Sequence, residues 1–118
     1  MLQQRLVETA PDDVPQQLAE VLRSFCASSP EVEKGYVCKV DETGLDGVNR
    51  GRLLFCVKLV VPVAEPGDAA DVSMSLTGRF IAAHPDPMRQ VGFGALADRA
   101  VQAWERYGVC LYSIDALG

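Results

Sequence analysis

The chain is poor in the residues that most often carry chemistry. It has one histidine, His84, set between Ala83 and Pro85. A single imidazole excludes a multi-histidine metal site, and no cysteine or glutamate stands at a ligand spacing from it. At the end of an expected helix, His84 reads as a side chain stabilised by the helix dipole. The four cysteines, Cys26, Cys38, Cys56 and Cys110, are widely spaced and form no C-x-x-C pair. Each sits in an apolar stretch, so all four are expected as buried free thiols behaving as small hydrophobes. A disulfide or a four-thiolate zinc site is disfavoured, because zinc knuckles place their ligands on tight turns. A Cys–His nucleophile needs a part-exposed, low-pKa thiolate at a helix N-terminus or beside a cation in a loop. None of the four cysteines has that setting in the sequence.

Phosphate and hydrolase motifs are missing as well. There is no Walker pattern and no G-x-S-x-G. Gly92-Phe93-Gly94 lacks the third glycine and the upstream strand–turn context of a dinucleotide site. Clustered positive charge is also lacking. Eleven Lys and Arg are scattered among sixteen Asp and Glu, for a formal net charge of -5. That argues against nucleic acid and against an anionic membrane surface. Mild acidity reads as solubility. The longest apolar run, Leu53 to Ala64, contains Lys58 and Pro62 and is too short to span a bilayer. Met1 to Glu8 carries no long apolar secretory core, so a cytoplasmic location is expected.

What is present is an ordinary globular composition. The 118 residues, 48% hydrophobic and 23% charged, fit one domain over 1–118. A chain of this length buries about two-thirds of its unfolded surface and needs no staples.

The first strong element is a helix over Val14–Ser28. Val14, Leu18, Val21, Leu22 and Phe25 recur at helical spacing, and Ser28-Ser29-Pro30 ends it. Asp13 with Gln16 three residues on suggests a capping box, and Pro15 suits the first turn. Leu6 to Glu8 reads as a short extended segment. A strand is expected over Gly35–Val40, followed by a turn-rich loop, Asp41–Asn49, joining an antiparallel pair. Leu53 to Val61 is apolar on both faces and predicts a central strand, with the Lys58 stem lying along apolar surface and its ammonium in water.

From Asp68 to Ala83 strand and helix periods compete. About sixteen residues is long for a strand, and the Ala-rich ends favour a helix, although Gly78 weakens it. Ala69, Val72, Leu76, Phe80 and Ala83 fall at helical spacing. His84-Pro85-Asp86-Pro87 is a break. Met88 to Leu96, with Gly92 and Gly94, predicts an edge strand. Ala97 to Tyr107 predicts a helix with Ala97, Val101 and Trp104 on one stripe, and Gly108 takes the C′ place. Val109 to Ile114 is the last strand. The expected fold is α+β in the order α-β-β-α-β-α-β, one mixed four-stranded sheet with helices packed on it.

Candidate polar groups are few. Asp41, Glu42 and Asp46 populate the loop without EF-hand spacing and read as solvated rather than calcium-binding. Trp104 and Tyr107 read as core aromatics. An exposed Trp104 would instead mark a partner surface.

Residues 6–62 carry a resemblance. Leu6-Val7-Glu8-Thr9-Ala10-Pro11 leads to Val14-Pro15-Gln16-Gln17-Leu18, then Leu22-Arg23-Ser24-Phe25, then Ser29-Pro30-Glu31-Val32-Glu33-Lys34-Gly35-Tyr36-Val37. This resembles the C-terminal domain of the enhanced serine sensitivity (SseB) family, with its Pro-x-x-Leu helix, Pro-Glu-Val/Ile turn and Ala-Tyr-Leu strand. Gly35 stands where Ala is more usual. The apolar strand from Leu53 also fits. The resemblance implies a bacterial, cytoplasmic α/β domain linked to serine tolerance, and it brings no catalytic residues.

No catalytic, cofactor-binding or metal-ligating residue is therefore expected, and no cofactor. The leading expectation is a non-enzymatic protein-interaction or regulatory module whose partner is a protein, self or heterologous. The alternatives are a secretion-chaperone-like acidic dimer and a small-metabolite sensor, of an amino acid for example.

Overall fold

In the computed structural model, residues 3–43, 47, 49–83 and 91–114 are described. Among these residues five strands and three α-helices form an α+β fold. The strands are β1 (Gln3–Val7), β2 (Val32–Thr43), β3 (Asn49–Leu59), β4 (Val91–Ala95) and β5 (Val109–Ser113). The helices are α1 (Gln16–Ala27), α2 (Ala70–Ala83) and α3 (Asp98–Tyr107).

The sheet is mixed. β2 and β3 form the expected antiparallel pair, in register from Lys34 opposite Lys58 to Thr43 opposite Asn49. β3 lies inside the sheet and pairs on its other side with β4, in parallel, after the chain has crossed over through α2. Both strands run further into the connection than the sequence suggests. Residues 44–46 and 48 of the expected loop, Asp46 among them, lie outside the described residues, as do His84 and residues 88–90 of the expected edge strand.

The sheet has five strands rather than four because the short N-terminal segment joins it. β1 and β5 share one edge of the long β2, end to end. β1 pairs antiparallel with Lys39–Thr43, and β5 pairs antiparallel with Lys34–Val37. Thr9 closes the junction between them. Its Oγ1 accepts from the Lys39 N–H at 2.8 Å and donates to the Val7 carbonyl at 2.8 Å. Its own N–H donates to the Tyr107 carbonyl at 2.8 Å. Backbone groups at the gap in the edge are thus satisfied by one side chain.

Both sheet faces are covered, as the two apolar faces of β3 require. On one face α1 and α2 bury Leu18, Leu22, Phe25, Leu76 and Phe80 against Val37, Phe55 and Val57. Each such side chain contributes about 1.5–3 kcal/mol relative to exposure. All four phenylalanines of the chain meet here, from α1, β3, α2 and β4. Phe25 and Phe80 sit edge-on with centroids 4.9 Å apart. On the other face α3 lays Val101 and Trp104 over Tyr36, Cys38 and Cys56. Trp104 is therefore core.

Several local expectations are corrected. Asp13 does not cap α1. Its carboxylate accepts from the Ala10 N–H at 2.8 Å and closes a 3-10 turn, Pro11–Asp13, while α1 begins after Pro15 with no side-chain cap. The local turn is the nearer competitor for the same carboxylate. Gly108 is extended (φ -95, ψ -178), not left-handed. It is glycine for space: a β-carbon there would lie 2.9 Å from the Trp104 carbonyl oxygen and 3.0 Å from that of Val37. Lys58 does not simply reach water but pairs with Glu33, both half-buried. Cys110 is exposed, while its neighbour Leu111, at the irregularity where β5 meets β2, is buried.

Candidate functional site

Three regions gather polar or exposed apolar groups. The first joins α3 to the sheet. Tyr36, fully buried, donates its hydroxyl to Glu105 Oε1 at 2.9 Å, and Lys34 Nζ donates to the same oxygen at 3.1 Å. Cys110 stands opposite Tyr36 in the β2–β5 register. Burial, and then the bond to Glu105, pushes the Tyr36 phenol up. The bond to Glu105 pushes the Lys34 ammonium up. The Tyr36 hydroxyl and then Lys34 hold the Glu105 carboxyl below its usual value. At neutral pH both donors keep their protons and the carboxylate is occupied by both. A general base needs a free, basic acceptor near neutrality. This cluster is instead a clamp that fixes α3 to β2.

The cysteines follow from their surroundings. Cys26 and Cys56 are buried, and desolvation pushes both thiols up to about 12. Such thiols are poor nucleophiles. Cys110 donates to the Tyr112 carbonyl at 3.4 Å. Among the described residues no group of three His, Cys, Asp or Glu side chains is placed to hold a metal ion. No helix among them is long and apolar enough to cross a membrane.

The second region comprises two open depressions. One, about 410 Å³, lies at the start of α1 beside Pro11, Asp12, Val14 and Arg23. The other, about 490 Å³, lies on the outer side of α3 beside Arg99, Gln102, Arg106 and Tyr107. Arg99 is held bidentate by Glu65 at 3.0 and 2.9 Å, and Arg106 stacks over the Tyr107 ring at 5.5 Å. Neither depression brings a nucleophile to a base.

The third region is the outer face of α2. The helix is held to the sheet through Leu76 and Phe80, both fully buried. At 3.6 residues per turn, Met74, Gly78 and Ile81 share the opposite side. Met74 is 73% exposed and Ile81 47%. Ala70, Ser75 and Ala82 are exposed beside them, and Asp71 brings the charge on this arc. Arg79 stands at its border, tied to Glu31 at 2.9 Å. The Val60 N–H donates to the Glu31 carbonyl, so the exposed Val60–Val61 corner adjoins the same border.

Gly78 is the odd residue of this surface. A glycine inside a helix costs about 1 kcal/mol relative to alanine. Among the described residues nothing lies within 4 Å of the place its β-carbon would take. No contact among them calls for its smallness. The strand–helix competition hid this surface in the sequence, where attention falls on Val72, Leu76 and Phe80. The available signal was the second stripe, Met74 and Ile81 one face away, with a glycine between them.

Compared with protein-family models, with curated proteins and with solved structures, the chain finds no match in any of the three.

Proposed function

We propose that this domain is a non-enzymatic protein-interaction or regulatory module of the bacterial cytoplasm, of the kind that its resemblance to the SseB C-terminal domain implies. The observation that carries the reading is the outer face of α2. An apolar, nearly uncharged helix face with a 73% exposed methionine is where a globular surface is expected to bind another protein. The polar groups elsewhere support it. The buried side-chain nitrogens and oxygens among the described residues all have partners, so none is held in reserve for chemistry. Free cysteines suit a reducing compartment.

The test is site-specific photo-crosslinking in cells. A photoreactive residue at position 74 is expected to give discrete protein adducts, and the same residue at Gln102, on α3, none. Position 74 giving no adduct, or both positions giving the same pattern, refutes the reading.

A further inference from the structure

The outer face of α2 is complementary to itself, and we infer that its partner is a second copy of this chain, docked α2 against α2 about a two-fold axis. This rests on the interaction-module reading and names the partner.

The argument begins with shape. Met74 is a protruding side chain and Gly78, one turn later, is a gap. Two antiparallel copies centred at the level of Leu76 bring Met74 of each over Gly78 of the other. The knob and the gap are then each used twice, which is the property of an isologous interface. The same register sets Ala70 level with Ala82 of the second copy, one on each edge of the seam, so small residues flank the contact. An unrelated partner would use the gap or the knob, but it would give no reason for both to stand one turn apart on one stripe. Gly78, which costs the isolated helix stability for nothing, acquires a role.

Charge agrees with shape. A two-fold of this kind keeps corresponding sides of the two helices together. Asp71 then lies on the same side as Arg79 of the second copy, within about 3 Å along the axis. Arg79 already bonds Glu31, and Asp71 adds a second carboxylate to a guanidinium that has donors for both. A parallel pairing would put like charges level with each other.

Area sets the strength. The fourteen residues of α2 span about 20 Å, and a strip of that length falls well short of the ~800 Å² per partner of a standard interface. The adjoining Val60–Val61 corner adds some apolar area. An interface of that size belongs with weak, transient contacts, so the dimer is sought at high concentration, from about 10 µM to 1 mM.

The experiment is sedimentation of the purified chain across that range, with Met74→Lys and Gly78→Leu as variants. The wild type is expected to pass from monomer to dimer. Both variants are expected to stay monomeric with unchanged circular dichroism, since Met74 is largely exposed and a side chain at Gly78 meets no described residue within 4 Å. A register test follows: chains carrying Met74→Cys and Gly78→Cys, each with Cys110→Ser, are mixed and oxidised. Mixed dimers well beyond the twofold excess over either homodimer that random pairing gives support the arrangement. A wild type that stays monomeric at 1 mM, a dimer that survives Met74→Lys, or cross-links without preference for the mixed pair overturns it. Monomer in sedimentation together with photo-adducts to other proteins at position 74 would sink self-pairing alone and leave the interaction module standing. Failure of both experiments removes both.

Discussion

Gly35 of β2 lies directly against Cys26 of α1: a β-carbon on Gly35 would stand 2.7 Å from Cys26 Sγ and 3.2 Å from Phe55 Cε1. An alanine side chain would collide here. The glycine lets α1 settle close to the sheet with a cysteine, rather than a smaller residue, at the contact. Gly35→Ala is expected to destabilise the fold by about 1–3 kcal/mol, the range for overpacked cores. Cys26→Ala in the same chain should recover part of that loss. A double-mutant cycle by urea unfolding measures the coupling, and strict additivity would mean the two residues do not compete for space.

Gly108 meets harder obstacles. Its neighbours are the carbonyl oxygens of Trp104 and Val37, at 2.9 and 3.0 Å from the added carbon. Backbone cannot rotate away as a side chain can. Gly108→Ala is expected to cost at least as much as Gly35→Ala, about 2–3 kcal/mol. The emission of Trp104, the only tryptophan in the chain, should shift to the red as α3 lifts. An unchanged spectrum and melting temperature would refute the close approach.

Thr9→Val tests the split sheet edge. It keeps the shape but removes the acceptor of the Lys39 N–H. An amide left unpaired in a part-buried site costs about 1–3 kcal/mol. Hydrogen exchange at Lys39 should accelerate more than at Val37, which pairs with β5. Equal protection at the two positions would show that the hydroxyl is dispensable.

Thiol reactivity should separate the cysteines. One equivalent, Cys110, is expected to react rapidly with a soluble disulfide reagent at pH 8, and Cys110→Ser to abolish that phase. Cys26, Cys38 and Cys56, all buried, should react at the rate of unfolding or local opening. Two or more fast thiols would contradict the burial of the others.

The clamp at Glu105 predicts the acid behaviour. Its carboxyl is held down by Tyr36 and then Lys34. A carboxyl whose pKa is lower in the folded chain adds stability above its unfolded value, near 4.3, and loses it as pH falls through the folded one. Glu31, held down by Arg79, acts in the same sense. Glu105→Gln keeps an acceptor for Tyr36 but removes the titration. Urea midpoints from pH 6 to pH 3 should fall less steeply for this variant than for the wild type. Parallel curves would remove Glu105 from the acid transition.

The sequence determined most of the elements by itself. Helical spacing of Leu18, Leu22 and Phe25 places α1, and Val101 with Trp104 places the buried stripe of α3. Alternation from Leu53 onwards makes β3 apolar on both faces and so internal. These are consequences of local period, which short-range stereochemistry dictates. The helix over Asp68–Ala83 was legible by length rather than by period, since both periods fit.

Tertiary structure decided the rest. Whether β1 joins the sheet depends on a free stretch of β2 edge, which exists because β5 is too short to fill it. Cys26 is buried because α1 docks it against Gly35 of β2, whereas Cys110 on β5 is left exposed, although both sit in apolar stretches. Gly35, Gly78 and Gly108 look alike in the sequence. Packing alone makes one a fit for a sulfur, one a fit for two carbonyls, and one a gap on an open surface. The apolar face of α2 is written in the residues, but only the docking of Leu76 and Phe80 onto the sheet turns Met74 and Ile81 outward. A period says which residues share a face, and the contacts made by the opposite face decide which way it looks.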